Sequence, residues 1–263
     1  MPDTLSVAVY GRNRLDDKSS WAAILGEVER AAPVLVPVRW GEGEPPRERW
    51  VDAETAAARA TGPMAFRGKT ASGGTVHILK RQMPFDLHTW YEMNVPFEGV
   101  EPAAVVSMFK AIAAIMDANY GHLHLLHPPA WGDTHLRFAR VYDGEARLSV
   151  PPWLLELYLP GIYWGTILGP DYVGLFGRDT IAGAPCEVVE DIGDDRFYLQ
   201  TTADLNDCRD ANDRYVDAAR EVMDHLGHDA FVDLADYRRI GRTPDLSYLR
   251  DTDPPRPYKP LVP

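Results

Sequence analysis

Apolar and polar positions along the chain alternate with two different periods, and each change of period marks an element. The run SVAVYG (6–11) is a short apolar stretch suited to a strand. From Lys18 to Ala31, Trp21, Ile24, Leu25 and Val28 recur at helical spacing, with Ser19 or Ser20 available as the cap. VLVPVRW (34–40) reads as a second strand whose Pro37 favours a sheet edge, GEGEPPRER (41–49) as a loop, and DAETAAARA (52–60) as a short helix. TVHILKRQM and LHTWYEMNV alternate as two paired strands. EPAAVVSMFKAIAAIMDA (101–118) puts Val105, Met108, Phe109, Ile112, Ile115 and Met116 on one broad face, so it predicts a helix lying against a sheet. GHLHLLH (121–127) and THLRFARVYD (134–143) supply two more strands.

The second half repeats this style. LELYLPGIYWG is strand-like. GPDYVGLFG reads as a two-turn helix, with Pro170 in its first turn, Tyr172, Val173, Leu175 and Phe176 as anchors and Gly177 as a left-handed cap. PCEVVEDI and RFYLQTT form a hairpin across GDD, and Asp207 to Leu226 is the strongest helix of the chain. Two successive mixed groups without βαβ alternation indicate an α+β fold, with mixed or antiparallel sheets, helices on one face and two halves of similar style. The expected organisation is an N-terminal segment 1–70 packed on the rest, an α+β domain 71–240 and a proline-rich irregular tail 241–263.

Composition adds boundaries to this picture. In 263 residues, 45% hydrophobic and 25% charged, an ordinary core is possible and disorder is not the default. The first twenty residues show no basic leader followed by an apolar run, so a cytoplasmic location is expected. The most apolar window, WLLELYLPGIYWGTILG, is interrupted by Glu156 and Pro160, which argues against a membrane span. Cys186 and Cys208 have no CxxC spacing, and neither a disulfide framework nor a structural zinc site is expected.

Candidate chemistry is sparse. On a strand, His122 and His124 share a face, and with His135 nearby they suggest a metal-dependent hydrolase as one alternative. The plainer reading has them as sheet histidines facing solvent or bonded near an edge. Glu92 could serve as an acid or base, but no partner for it is visible. There is no GxSxG elbow, phosphate loop or activated cysteine, so no cofactor and no enzymatic activity are expected. A small-molecule module using Tyr163 and Trp164 is a further alternative.

Charge says more. Between Glu187 and Asp236 there are fifteen Asp/Glu against four Lys/Arg, a net of −11 in a chain of net −12. At 100° per residue, Asp210, Asp213, Asp217, Glu221 and Asp224 fall within an arc of about 80°, opposite Tyr215, Ala218, Ala219, Val222, Met223 and Leu226. Like charges at i, i+4 are mildly destabilising, and only Arg214 and Arg220 offset them. A solvated face is one reading; a contact surface for a basic protein partner is the other. Direct nucleic-acid binding is disfavoured, because phosphate contacts need Lys and Arg.

The order YWGTILGPDYVGLFG, APCEVVED, RFYLQTT and a helix ending in HLGHDAF resembles the bacterial immunity proteins of polymorphic and type VI secretion toxin systems, most nearly the immunity protein 52 family, over residues 75–235. That resemblance implies a cytoplasmic, non-enzymatic α+β protein that binds and blocks a cognate toxin, often a nuclease with a basic cleft. The acidic stripe is then the expected toxin contact, with Tyr163 and Trp164 as aromatic contacts.

Overall fold

A computed structural model describes residues 2–43, 45–59, 65–80, 87–127, 138–142, 145–232 and 241–251. Its strands are β1 (Thr4–Gly11), β2 (Pro37–Gly41), β3 (Glu48–Arg49), β4 (Ala65–Thr70), β5 (Thr75–Leu79), β6 (Thr89–Pro96), β7 (Ala118–Leu126), β8 (Ala139–Tyr142), β9 (Glu145–Leu148), β10 (Gly165–Leu168), β11 (Val188–Gly193) and β12 (Arg196–Gln200). Ten of them form one sheet in the order β11-β12-β10-β7-β1-β6-β5-β4-β2-β3, and β8 and β9 form a separate hairpin. Among the described residues all the pairings between these strands are antiparallel. The fold is α+β. The stretch 1–70 supplies β1, which is hydrogen-bonded to β6 on one side and β7 on the other, as well as β2, β3 and β4.

One face of the sheet is apolar. Leu5, Val7 and Val9 of β1 share it with Tyr91, Met93 and Val95 of β6 and with Leu123 and Leu125 of β7, all buried. Helix α1 (Lys18–Ala31), which buries Trp21, Ile24, Leu25 and Val28, and α3 (Pro102–Ile115), which buries Val105, Met108, Phe109 and Ile112, cover it; α2 (Ala53–Arg59) packs beside α1. Asp17, two or three residues before the serines expected to cap α1, caps it instead: its carboxylate accepts from the Ser20 amide at 2.7 Å. Gly121 lets α3 approach, since a Cβ there would lie 2.9 Å from the Phe109 ring.

The opposite face is covered over its centre by β9 and over its β7 side by later segments. These are a 3-10 turn (Pro152–Glu156), α4 (Pro170–Phe176), α5 (Arg178–Ala182), α6 (Asp207–Asp210) and α7 (Asn212–Leu226). Helices therefore lie on both faces, not on one.

Several expectations change in detail. Only Gly165–Leu168 of the strand-like LELYLPGIYWG stretch and its continuation pairs as a strand, because the 3-10 turn and Pro160 precede it. Residues 33–35 form a 3-10 turn, so the second strand starts at Pro37. Of THLRFARVYD, residues 134–137 and 143 lie outside the described residues. The GDD hairpin forms as expected, with Asp194 and Asp195 both at positive φ (50° and 54°) in the turn.

Candidate functional site

Helix α7 presents the charge pattern that the sequence foreshadows. Tyr215, Val216, Ala219, Val222, Met223 and Leu226 are buried, and the Tyr215 hydroxyl donates to the Ile162 carbonyl at 3.3 Å. Each large apolar side chain of this kind contributes roughly 1.5–3 kcal/mol on burial, which fixes the rotation of the helix. Asp213, Asp217, Glu221 and Asp224 are then all exposed on the other side. Asp217 pairs with Arg220 at 2.7 Å and Asp224 with His228 at 3.2 Å, whereas Asp213 and Glu221 make no ion pair among the described residues.

The stripe is shorter than a continuous helix would make it. Ala211, at φ −138° and ψ 48°, separates α6 from α7, so Asp210 does not belong to the same helical surface. It is exposed at the end of α6 and bound by Arg209 Nε at 2.7 Å, a contact that holds its carboxyl below the usual carboxylate value. Arg209 also reaches Asp3 at 3.1 Å, and His127 meets the other oxygen of Asp3 at 2.7 Å. Asp210 is thus partly neutralised, and α6 is tied to the start of β1.

Beneath α7 lies a buried polar layer that the sequence reading placed at the surface. His122 and His124 do share a face, but β7 is an interior strand of the sheet and both side chains are buried, so they neither face solvent nor sit at an edge. The His122 ring lies 4.9 Å from Tyr163 and 6.3 Å from both Tyr10 and Tyr120; His124 lies 4.9 Å from Tyr215, with Nδ1 3.6 Å from Cys208 Sγ. Burial pushes the His122 pKa down to about 3, against the pull of the Leu148 backbone, and neither of its ring nitrogens has a hydrogen bond of ordinary geometry. His122 is a neutral core side chain. His135 lies outside the described residues, and among the described ones no three His, Cys, Asp or Glu side chains converge.

Glu92 belongs to the same layer and has partners that sequence spacing does not reveal. Asn94 Nδ2 donates to it at 2.9 Å and Ser149 Oγ at 2.9 Å, while burial raises its pKa despite these bonds and the charge of Arg147. The Tyr10 hydroxyl donates to the Val150 carbonyl at 2.8 Å, closing the layer under β9 and the segment that follows it. Tyr163 is fully enclosed and presents no surface to a partner. Trp164, its neighbour, is also buried but lines a groove.

A second ionic cluster was missed altogether. Asp117, at φ 50°, accepts from Arg12 at 2.9 Å and from the buried Arg196 at 3.0 Å, linking β1, the turn before β7 and β12. These residues are far apart in sequence, and only the strand order brings them together.

No protein-family model matches the chain, and no curated protein matches it. Among solved structures, the Pseudomonas aeruginosa T6SS protein PA0821 is similar, with a TM-score of 0.52 and 16% identity over 90% of this chain and 86% of that one. The likeness is one of fold. Among the described residues, no helix is long and apolar enough to cross a membrane.

Proposed function

We propose that this chain is a cytoplasmic immunity protein that binds and neutralises a cognate toxin bearing a basic surface, and that it does so without catalysis. The observation that carries the reading is the exposed acidic face of α7: four carboxylates within about 80° of arc on a helix whose opposite side is locked into the core. A focused negative field of this kind accelerates encounter with a basic partner and adds specificity. Support of a different kind comes from the fold likeness to a Pseudomonas aeruginosa type VI secretion system protein, with which a role in such a system is compatible. The resemblance of residues 75–235 to toxin immunity proteins points the same way. A nuclease toxin would suit the surface, because a cleft that holds nucleic acid carries Lys and Arg.

The test is a triple reversal, Asp213→Lys, Asp217→Lys and Glu221→Lys, assayed by calorimetry against the toxic domain of the proposed cognate toxin. Affinity should fall by at least about tenfold, as expected when several charges of a steering surface are inverted. Circular dichroism should be unchanged, because all three side chains are exposed. Unaltered affinity would reduce the stripe to a solvated helix face.

A further inference from the structure

The polar face of the sheet changes character toward β3. Residues directly opposite one another on paired strands share a face, so the register sets out rows. One row runs Arg49, Arg39, Lys69, Thr75 and Asn94 from β3 to β6, and Arg67, His77 and Glu92 form the next. β9 packs on β1, β6 and β7, and α7 rests on β7 through Tyr215, whose ring lies 4.9 Å from His124. On β4, β2 and β3 the same face leaves Arg39 and Arg49 exposed and Arg67 and Lys69 half-buried.

Like charges directly opposite one another destabilise a sheet. Lys69, Arg39 and Arg49 stand opposite across three neighbouring strands, in a chain whose net charge is −12. The Arg39 guanidinium donates to the Arg47 carbonyl at 3.3 Å and that of Arg67 to the Glu42 carbonyl at 2.7 Å. Both acceptors are uncharged, and Arg39, Arg49 and Arg67 make no ion pair among the described residues. The charge of these arginines is left for carboxylates brought from elsewhere.

A set of carboxylates with the matching dimensions is the stripe on α7. Neighbouring strands lie about 4.8 Å apart, so the backbones of Lys69 and Arg49 are about 10 Å apart. Asp213, Asp217 and Glu221 recur every four residues, which spans about 12 Å along a helix. Stripe and row also look the same way, since the buried side of α7 faces the sheet and the stripe points away from it. They cannot meet within one chain, because β7 and β2 are five strand positions apart, about 24 Å. The α7 layer stands about 10 Å above the sheet, so the row lies at the foot of a step. A two-fold axis parallel to the strands sets the raised stripe of each copy against the recessed row of the other, and the contact is made twice. We infer that this face is a self-association surface, and that two copies pair through it with Asp213, Asp217 and Glu221 of one against Lys69, Arg39 and Arg49 of the other. The inference uses the geometry of the stripe and not its role toward a toxin; a basic toxin would compete with the second copy for the same carboxylates.

Sedimentation velocity of the full chain over a concentration series tests it. A species of twice the 29.4 kDa chain mass should form at about 0.01 M salt, where the screening length is about 30 Å, and dissociate at about 1 M, where it is about 3 Å. Arg39→Glu with Arg49→Glu should weaken the dimer at least about tenfold, and so should Asp217→Lys with Glu221→Lys. All four side chains are exposed, and circular dichroism of both variants should match that of the native chain. The decisive sample is an equimolar mixture of the two. Each variant opposes itself, but the acidic row of the first suits the lysine stripe of the second, and the remaining native stripe and row suit each other, so a heterodimer should form at low salt. A native chain that stays monomeric at low salt, a dimer that the row reversal leaves unchanged, or a mixture that stays monomeric overturns the inference. Mass that keeps growing with concentration overturns the closed two-fold pairing. A chain that dimerises in this way but binds no toxin upholds the inference and sinks the inhibitor reading, and a monomeric chain that binds the toxin through α7 does the reverse.

Discussion

The two faces of the ten-stranded sheet are built on opposite terms. Toward α1 and α3 the strands offer Leu, Val, Met and Tyr, and two amphipathic helices close over them. Toward β9, α4 and α7 they offer Ser6, Tyr10, His122, His124, Glu92 and Asn94, and the covering layer must answer each polar group. The first face gains stability from area alone. The second gains less, because polar side chains are held only as well as their hydrogen bonds allow. What the second face adds is orientation: the layer that seals it includes α7, and the packing of Tyr215 and its apolar neighbours turns the acidic stripe outward.

That contrast can be broken at either side. The largest effect is expected on the apolar face: Phe109→Ala should cost about 3–5 kcal/mol in urea unfolding, leaving a void over Gly121. On the polar face the effect depends on pH. His122 is held neutral at a pKa of about 3 against an ordinary 6.5, so the unfolded chain takes the proton first and stability falls as pH drops below 6.5. At pH 5 this loss should be about 2 kcal/mol and should be absent from His122→Phe, as the slopes of stability against pH will show.

Glu92 should act with the opposite sign. Its pKa is raised in the fold, so its contribution is present below the ordinary value of 4.5 and is lost as pH rises through the folded one. Glu92→Gln should therefore gain stability relative to the native chain as pH increases, readable as a divergence of the two thermal midpoints as pH rises from 5 to 8. The smallest effect belongs to the stripe. Asp217→Ala and Glu221→Ala should change stability by no more than about 0.5 kcal/mol, because both residues are exposed, Glu221 makes no ion pair among the described residues and the Asp217–Arg220 pair is a surface one.

The same contrast explains what could be read from sequence. The helices α1, α3, α4 and the buried side of α7 were legible, since a periodic apolar pattern reports a helix that packs by one face. So was the β11–β12 hairpin, marked by its GDD turn. The polar face was not. Alternating strands such as GHLHLLH look half-solvated, and only the later layer, roughly thirty residues and more downstream, buries His122 and His124. Glu92 had no visible partner because Ser149 lies 57 residues away and is brought near by β9. The break at Ala211 carries no Gly or Pro signal; the Arg209–Asp3 contact and the buried Cys208 hold α6 in its own direction. The stripe's existence was legible and its length was not.

The most direct test of the claim that α7 steers a basic partner is the association rate with the toxin domain across a range of ionic strength, measured by stopped flow for the native chain and for the Asp213→Lys, Asp217→Lys, Glu221→Lys variant. The native rate should fall steeply as salt rises, and the variant should start at least about tenfold slower with a shallow slope, the two converging at high salt. Equal rates and equal slopes for the two proteins would contradict the account.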